Sequence, residues 1–178
     1  MSSLAAVPDK LGSLFTGILA HCEKGTIEAL RWVLYSERPL SPTELFFAIK
    51  TSTNQISTGQ WDEGDADQES IKRFITRSSR GLLGVYEEFL WRVYFIHGSV
   101  REHLLQGGLA SLTMADTNLV EGSAHADIAQ HCLSYLQLDS PKYLQYFEPH
   151  RSLSWFSSNR FPLHRYAVHN LLYHADLA

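Results

Sequence analysis

Apolar residues recur every three or four positions along the first fifty residues, a spacing that predicts three helices. The first helix should begin near Pro8, which suits a first helical turn, and run to about Cys22. The second should cover Thr26 to Ser36, and its apolar surface is broad enough to be nearly surrounded by protein. A third should begin at Ser41, because Ser-Pro-Thr-Glu supplies the N-cap, the N1 proline and the N3 glutamate of a capping box.

The apolar period changes after a fourth amphipathic segment. This segment predicts a helix from about Ala66 to Ser79 that ends at Gly81. Beyond it, short apolar runs on either side of a break at Glu87 to Trp91 predict two strands joined as a hairpin. Three helices followed by a hairpin are typical of a winged helix-turn-helix. Acidic residues precede the fourth helix, where the helix dipole favours negative charge, and they are Asp62, Glu63, Asp65, Asp67 and Glu69.

The rest of the sequence predicts helices only. Gly107 and Gly108 should end the first of them, and the serine-rich stretch from Glu148 to Arg160 should be an irregular connection. The last helix should run to Asp176. These helices are expected to begin at Ser99, Ser123, Ser140-Pro141 and Phe161.

The predicted fold class is therefore mainly α, a winged helix-turn-helix with a short β-hairpin wing followed by a helical domain. We expect a leading helix in residues 1–24, the winged helix in 25–106 and the helical domain in 107–178. Leu171 to Ala178 ends inside a helical pattern without a glycine cap, which indicates that the helical domain is truncated.

Composition narrows the class without giving the function. A chain of 178 residues with 44% apolar residues can bury its own core without a metal or disulfide. Cys22 and Cys132 are too few for a disulfide framework, and the sequence shows neither a basic leader nor an apolar run of membrane-spanning length. We expect a cytoplasmic protein with no membrane partner. The net charge of -4 argues against a protein that coats duplex DNA.

The common catalytic signatures are absent from the sequence. It contains no G-x-x-x-x-G-K-[ST] loop, G-x-S-x-G elbow, H-E-x-x-H helix or paired C-x-x-C, so we expect no enzyme activity and no nucleotide bound by this chain alone. One cluster has suitable residue types, namely His125, Asp127, His131 and Cys132. His125 and Cys132 would lie roughly 10 Å apart along a helix, too far for one tetrahedral ion. Asp127 and His131 could form an ordinary surface pair.

Three further histidines lie in the last predicted helix. His164, His169 and His174 are spaced by five residues, so they wind around a helix and do not share one side. We expect them to be surface or groove residues and not metal ligands.

Four cations on the fourth helix raise the possibility of DNA binding, because the third helix of a winged helix usually reads the major groove. A nucleic-acid site on this helix would use these four cations. The acidic run upstream and the glutamates of the predicted wing oppose this reading, since a duplex reader usually carries phosphate-binding cations there. The cations are Lys72, Arg73, Arg77 and Arg80.

Three stretches resemble the region that follows the NACHT ATPase in fungal STAND proteins, which are NLR-like proteins that often carry ankyrin repeats. The stretches are Ile27 to Ile49, Arg80 to Leu105 and Phe161 to Ala175. The opening residues, Leu4 to Leu19, are similar to the helix that leaves the ATPase in that family. The winged helix there is often labelled after GPI inositol-deacylase, a label that implies no deacylase activity.

The resemblance implies a role for one histidine. Phe95-Ile96-His97, followed by a helix with Glu102, is similar to the F-x-H segment of NACHT proteins, in which the histidine can reach the phosphates of ADP held by the ATPase. His103 stands where that family usually has an aromatic residue. An imidazole beside free backbone N–H groups at a strand-to-helix junction suits an anion. His97 is therefore the expected contact to ADP.

These features favour a non-catalytic regulatory module of a NACHT-type signalling protein. Its partners would be the ATPase domain, which alone would hold ADP or ATP, and a repeat domain. An exposed apolar patch on the first helix and on the helix from Ser99 should be the docking face for the ATPase. The alternatives are a winged-helix DNA-binding protein and a free-standing scaffold produced by gene decay.

Overall fold

The computed structural model describes residues 9–56, 67–87, 90–114, 116, 118–145 and 161–178. This part of the chain is mainly helical, with one small antiparallel hairpin. The elements in chain order are α1 (Asp9–Leu19), α2 (Lys24–Tyr35), α3 (Pro42–Ser52), α4 (Gln68–Ser78), β1 (Leu83–Glu87), β2 (Trp91–Phe95), α5 (Gly98–His103), a kinked turn (Leu104–Gly108), α6 (Leu109–Thr113), α7 (Val120–Gln145) and α8 (His164–Asp176).

Local capping signals set the start of α3. The Ser41 hydroxyl accepts a bond from the Glu44 amide at 3.2 Å, and the Glu44 carboxylate accepts one from the Ser41 amide at 2.7 Å. Pro42 occupies the first helical position. The predicted capping box is confirmed, and the three helices expected from the apolar spacing are present. Pro8, expected in the first turn of α1, lies outside the described residues.

A side-chain cap and a left-handed turn bound α4. Asp67 is the N-cap, and its carboxylate accepts a 2.6 Å bond from the Ser70 amide, which lowers the pKa of Asp67. Arg80 and Gly81 have φ angles of 53° and 79°, and the Gly81 amide donates to the Thr76 carbonyl. This confirms the predicted stop at Gly81. The acidic positions before Asp67 lie outside the described residues, and so do the expected first helical residue, Ala66, and Glu88 of the hairpin turn.

The predicted hairpin is present and is held against the helices by one backbone bond. Its strands pair antiparallel from Leu83 with Phe95 to Glu87 with Trp91. The Val93 amide donates at 3.0 Å to the carbonyl of Leu40, which lies between α2 and α3. Val93 and Leu40 are both buried, so the hairpin leans on the helices and does not stand free.

Of two predictions for the segment after the hairpin, one is wrong and one is confirmed. Ser99 does not cap α5, because His97 is the N-cap and its ring accepts from the Ser99 amide. The predicted stop at Gly107 and Gly108 is confirmed, since the backbone of Gln106 and Gly107 is not helical and Gly107 has a φ of 106°. Helix α6 follows this kink and ends before Met114, which is left-handed.

Two predicted helix starts are also wrong. Ser123 does not begin a helix, since its amide already bonds the Leu119 carbonyl and α7 starts at Val120. Ser140-Pro141 does not open a separate helix, because the backbone of α7 is helical on both sides of that pair. Near Ser123, packing of α7 on α8, which includes the contact between His125 and His174, outweighs the local signal. The predicted connection Glu148 to Arg160 lies outside the described residues.

One continuous core joins α2 and α3 to α7 and α8. The Trp32 and Tyr166 rings meet edge to face at 5.7 Å, and the Phe47 and Tyr135 rings at 6.1 Å. These contacts connect the predicted winged-helix range with the predicted helical domain, and the boundary between the two stays a prediction. No helix in the described part of the chain is long and apolar enough to cross a membrane.

Candidate functional site

His97 lies on the surface where β2 gives way to α5. Its Nδ1 accepts a 3.1 Å bond from the Ser99 amide and lies 2.8 Å from the Ser99 hydroxyl, while the ring itself is exposed. Ser99 is buried, so its amide and hydroxyl hold the His97 ring against the protein. The sequence therefore places an anchored imidazole at an accessible edge of the molecule.

The hydrogen bonds assign the protonation of this ring. Because Nδ1 accepts from a backbone amide, the neutral imidazole carries its proton on Nε2. The Ser99 amide is thus occupied, and the Val100 amide donates to the His97 carbonyl at 3.1 Å. The expectation of free backbone N–H groups beside His97 fails for these two amides. The Nε2–H, which has no partner among the described residues, is the group that remains for an anion.

The predicted apolar docking face is only partly exposed. Helices α1 and α5 pack on each other, and the Phe15 ring lies 5.5 Å from the ring of His103. The apolar residues on the facing sides are buried, namely Phe15, Leu19, Val100 and Leu104. Most of the expected patch therefore belongs to the core, which corrects that prediction. The exposed remainder consists of Leu11, Leu14 and Leu105.

The four cations named for nucleic acid do not form one surface. The Lys72 ammonium lies 3.8 Å from the centre of the Trp91 ring, a cation–π contact on the hairpin side of α4. The other three line a groove on another side of α4: Arg73, Arg77 and Arg80. The Arg80 guanidinium also donates to the carbonyls at the end of α1. DNA binding stays a prediction. It would have to use Arg73 and Arg77, because Lys72 and Arg80 already contact other parts of the protein.

The expected surface pair of Asp127 and His131 is wrong. Asp127 bonds Arg31 of α2 at 2.6 Å, and the Arg31 guanidinium also holds Glu28 at 3.0 Å. His131 turns toward α3 and places its Nδ1 3.0 Å from the Ser52 hydroxyl. Tertiary partners on α2 and α3 therefore replace the local contact on α7.

Ser52, His131 and Glu28 have the residue types of a hydrolase triad but not its geometry. The Ser52 hydroxyl donates to the Ala48 carbonyl at 2.7 Å and accepts from the Trp32 indole at 3.1 Å. His131 Nδ1 must therefore donate to this oxygen and cannot take its proton. The nearest Glu28 oxygen faces the same nitrogen at 3.9 Å, whereas a triad carboxylate faces the other one.

Burial controls the ionisation of this cluster. Desolvation lowers the pKa of His131 to about 4 and raises the pKa of the Glu28 carboxyl above its ordinary value. Cys132, on the next position of α7, is buried and its pKa rises to about 12. One Glu28 oxygen has no hydrogen-bond partner among the described residues. The cluster is a buried structural network with no open position for substrate.

The prediction that His174 is a surface or groove residue is wrong. Its Nδ1 lies 2.7 Å from Nδ1 of His125, its Nε2 lies 2.8 Å from the Tyr166 hydroxyl, and the ring is fully buried. The Tyr166 hydroxyl also accepts from the Glu37 amide at 3.1 Å. Burial lowers the pKa of His174 to about 4. The five-residue spacing did place His169 on the exposed side of α8.

Sequence reasoning missed the partners of these histidines because they lie on other helices. Glu28 and Arg31 sit one turn apart within an apolar segment, and charged residues on so apolar a helix could have indicated a buried pair. No signal in the sequence identified Asp127 as the second carboxylate that binds Arg31. Among the described residues, no group of His, Cys, Asp and Glu is arranged to hold a metal ion.

Comparison of the chain with models of known protein families, with curated proteins and with solved structures produced no match.

Proposed function

We propose that this chain is a non-catalytic regulatory module that packs on a NACHT-type ATPase domain and stabilises its ADP-bound, inactive state. The edge that carries His97 contacts the ATPase, and the Nε2–H of His97 donates to a phosphate oxygen of the bound ADP. Neutral imidazole donates a single directed hydrogen bond, which suits recognition of a phosphate held by another domain.

The order and packing of the helices before the hairpin support this proposal. Helices α2, α3 and α4 precede the hairpin, as in a winged helix, and α2 packs on both of the others. The bond between Val93 and Leu40 brings the connection between α2 and α3 alongside β2, where a winged helix often has a short third strand. We therefore treat residues 25–106 as a winged helix with the hairpin as its wing.

The anchored ring of His97 is the observation that carries the proposal. A histidine used only to stabilise the fold would be expected to use both nitrogens within the protein or to be buried. His97 instead uses Nδ1 to cap α5, and it is an exposed residue whose Nε2 has no partner among the described residues. The capping bond fixes the direction of the donor, so little side-chain entropy is lost when an anion binds.

The core shared by the two predicted domains fits the same proposal. Bonds and ring contacts join α2 and α3 to α7 and α8 in one core, and in this proposal the hairpin and the following helices move as one unit. A module that leaves the ATPase when ADP is exchanged for ATP would carry a repeat domain attached beyond α8 with it. This transmission needs no chemistry within the chain.

Binding to a separately expressed NACHT ATPase domain of a fungal STAND protein tests the proposal. The full chain should bind the ADP-loaded domain more tightly than the ATP-loaded domain in calorimetry. His97→Asn keeps an oxygen that can cap α5, but its shorter amide places no N–H at the position of Nε2, so it should weaken binding about tenfold without unfolding the helix. The matched control is His169→Asn, which alters another exposed histidine.

Three results would overturn this function. Equal affinity for the two nucleotide states would exclude a role in the inactive state. Unchanged affinity in His97→Asn would remove the phosphate contact, and an equal loss in His169→Asn would show that the effect is not specific to this edge.

A further inference from the structure

A groove of about 610 Å³ lies where the first turn of α2, the end of α3 and one side of α4 meet. Ile49 and Phe74 give it apolar lining, and Thr53, Gln55 and Ser70 add polar groups. This volume is within the range of small-ligand sites, which spans about 300 to 1,000 Å³. The groove uses none of the residues around His97.

Positive charge dominates the lining. Arg73 and Arg77 are exposed and lie one helical turn apart on α4, and Arg80 follows in the left-handed turn. Against these three cations, Glu23 is the one carboxylate among the described lining residues. The groove therefore favours an anion.

The three arginines differ in the hydrogen bonds and ion pairs that their guanidinium groups make within the protein. The Arg80 guanidinium donates to the carbonyls of Ile18 and His21 at 3.3 and 3.1 Å, which fixes it at the rim. Arg73 makes a 3.3 Å contact with exposed Glu69, a pair that contributes little stability. Within the described residues the Arg77 guanidinium has neither an ion-pair nor a hydrogen-bond partner. Two adjacent guanidinium groups are thus available to a ligand.

The N-terminus of α2 adds to the positive potential in the groove. Gly25 and Thr26, in its first turn, line the groove, so the positive end of the helix dipole faces it. The N-cap residue, Glu23, makes no side-chain bond to this turn. The Thr26 amide already donates to the Glu23 carbonyl at 2.9 Å, so the helix end favours an anion through its dipole, beside the guanidinium groups.

The shape favours a phosphomonoester over the backbone of duplex DNA. A reading helix must enter the major groove as a convex surface, whereas these arginines line a concavity. Lys72 is directed to Trp91 and Arg80 to α1, so neither extends the positive surface along α4. A phosphomonoester carries about -1.5 to -2 charges at neutral pH and matches the guanidinium fork.

We propose that this groove binds a phosphomonoester through Arg73, Arg77 and the first turn of α2, with the group that carries the phosphate resting on Phe74. A phosphorylated serine or threonine of a protein segment and a free phosphorylated metabolite share this chemistry. The site is independent of the proposed contact between His97 and ADP.

Calorimetry of the full chain at low ionic strength tests this site with three probes. The probes are phosphoserine, a short peptide that contains phosphoserine, and the same peptide without phosphate. Both phosphorylated probes should bind and the unphosphorylated peptide should not. Tighter binding of the peptide than of phosphoserine identifies a protein segment as the source, whereas equal binding identifies a small metabolite.

Matched variants keep the test specific. The double variant Arg73→Gln and Arg77→Gln should lose about tenfold or more in affinity for the phosphorylated probes and keep its melting temperature, since both side chains are exposed. Arg101→Gln, an exposed change on α5, and His97→Asn should leave the affinity unchanged.

The proposal is overturned if the unphosphorylated peptide binds equally well or if the double variant binds as tightly as the original chain. It is also overturned if a random-sequence duplex binds in a manner that depends on Arg73 and Arg77 while the phosphorylated probes do not bind. Loss of binding to the ATPase domain in His97→Asn would not affect this outcome, so the two proposals fail separately.

Discussion

The Arg31 guanidinium of α2 lies 2.6 Å from the Asp127 carboxylate of α7, and the same guanidinium nitrogen bonds Glu28 at 3.0 Å. The Arg31 side chain is nine-tenths buried and the Asp127 side chain is 45% exposed. One cation therefore serves two carboxylates at the interface between the two predicted domains. Its removal would leave Glu28 buried without a charge partner.

We expect Arg31→Met to destabilise the protein by about 3 kcal/mol, because a buried charge without its partner is costly. The matched control is Arg73→Met, which breaks the Glu69 pair on the surface of α4. Those side chains are 75% and 61% exposed, so its effect should stay within about 0.5 kcal/mol. Urea unfolding at pH 7 measures both values, and equal effects would contradict the difference in burial.

Acid should weaken the fold before most carboxylates are protonated. In the folded protein the pKa of His131 and of His174 is about 4, because burial disfavours the charged ring. The unfolded chain takes up these protons near pH 6.5, so the free energy of unfolding falls as the pH drops from about 6.5 toward 4. Each histidine contributes at most about 1.4 kcal/mol per pH unit. Unfolding curves between pH 7 and pH 4.5 measure the slope.

Histidine variants show which ring causes the pH dependence of the unfolding free energy. His131→Asn should flatten the pH dependence, whereas His169→Asn, at an exposed position, should leave it unchanged. Unfolding free energies that do not vary between pH 6.5 and 4.5 in the original chain would contradict the burial of both rings.

The two thiols should differ in reactivity. Cys132 is buried and its pKa is about 12, so almost no thiolate forms at neutral pH. Cys22 is only partly buried, although burial raises its pKa as well. A thiol reagent at pH 8 should modify Cys22 first and Cys132 only after denaturant is added, as mass spectrometry of the peptides would show. Rapid modification of Cys132 in the native protein would contradict its position.

The capping box of α3 should contribute measurable stability. Ser41→Ala removes the acceptor of the Glu44 amide and should cost about 1 kcal/mol. Ser111→Ala removes only an exposed hydroxyl bond from α6 to the Gly107 carbonyl and should be nearly neutral. Thermal unfolding of the two variants compares them, and a Ser41 effect no larger than the Ser111 effect would contradict the capping role.

Local signals in the sequence predicted the elements well where the deciding contacts are local. The box at Ser41 and the left-handed stop at Gly81 each depend on residues within five positions. The apolar alternation also predicted the hairpin. For this reason the first four helices and both strands were found close to their observed ends.

The same reasoning failed where distant packing decides. Ser123 and Ser140-Pro141 resemble helix starts, but the backbone of α7 is continuous through both, and near Ser123 this helix packs on α8 through His125 and His174. The partners of His131 and His174 come from α3 and from within the contact between α7 and α8. A single sequence carries no record of which side chain on one helix meets which on another. The location of His97 on an accessible edge, by contrast, followed from its place at a strand-to-helix junction.

The kink at Gly107 sets the angle at which two short helices meet. Gly107 has a φ of 106°, and Gln106 before it is also non-helical, so the chain changes direction between Leu104 and Leu109. Both leucines are nevertheless buried, one on each side of the kink. A side chain at position 107 would strain this backbone conformation. The burial of two leucines therefore depends on a residue that contributes no apolar side chain of its own.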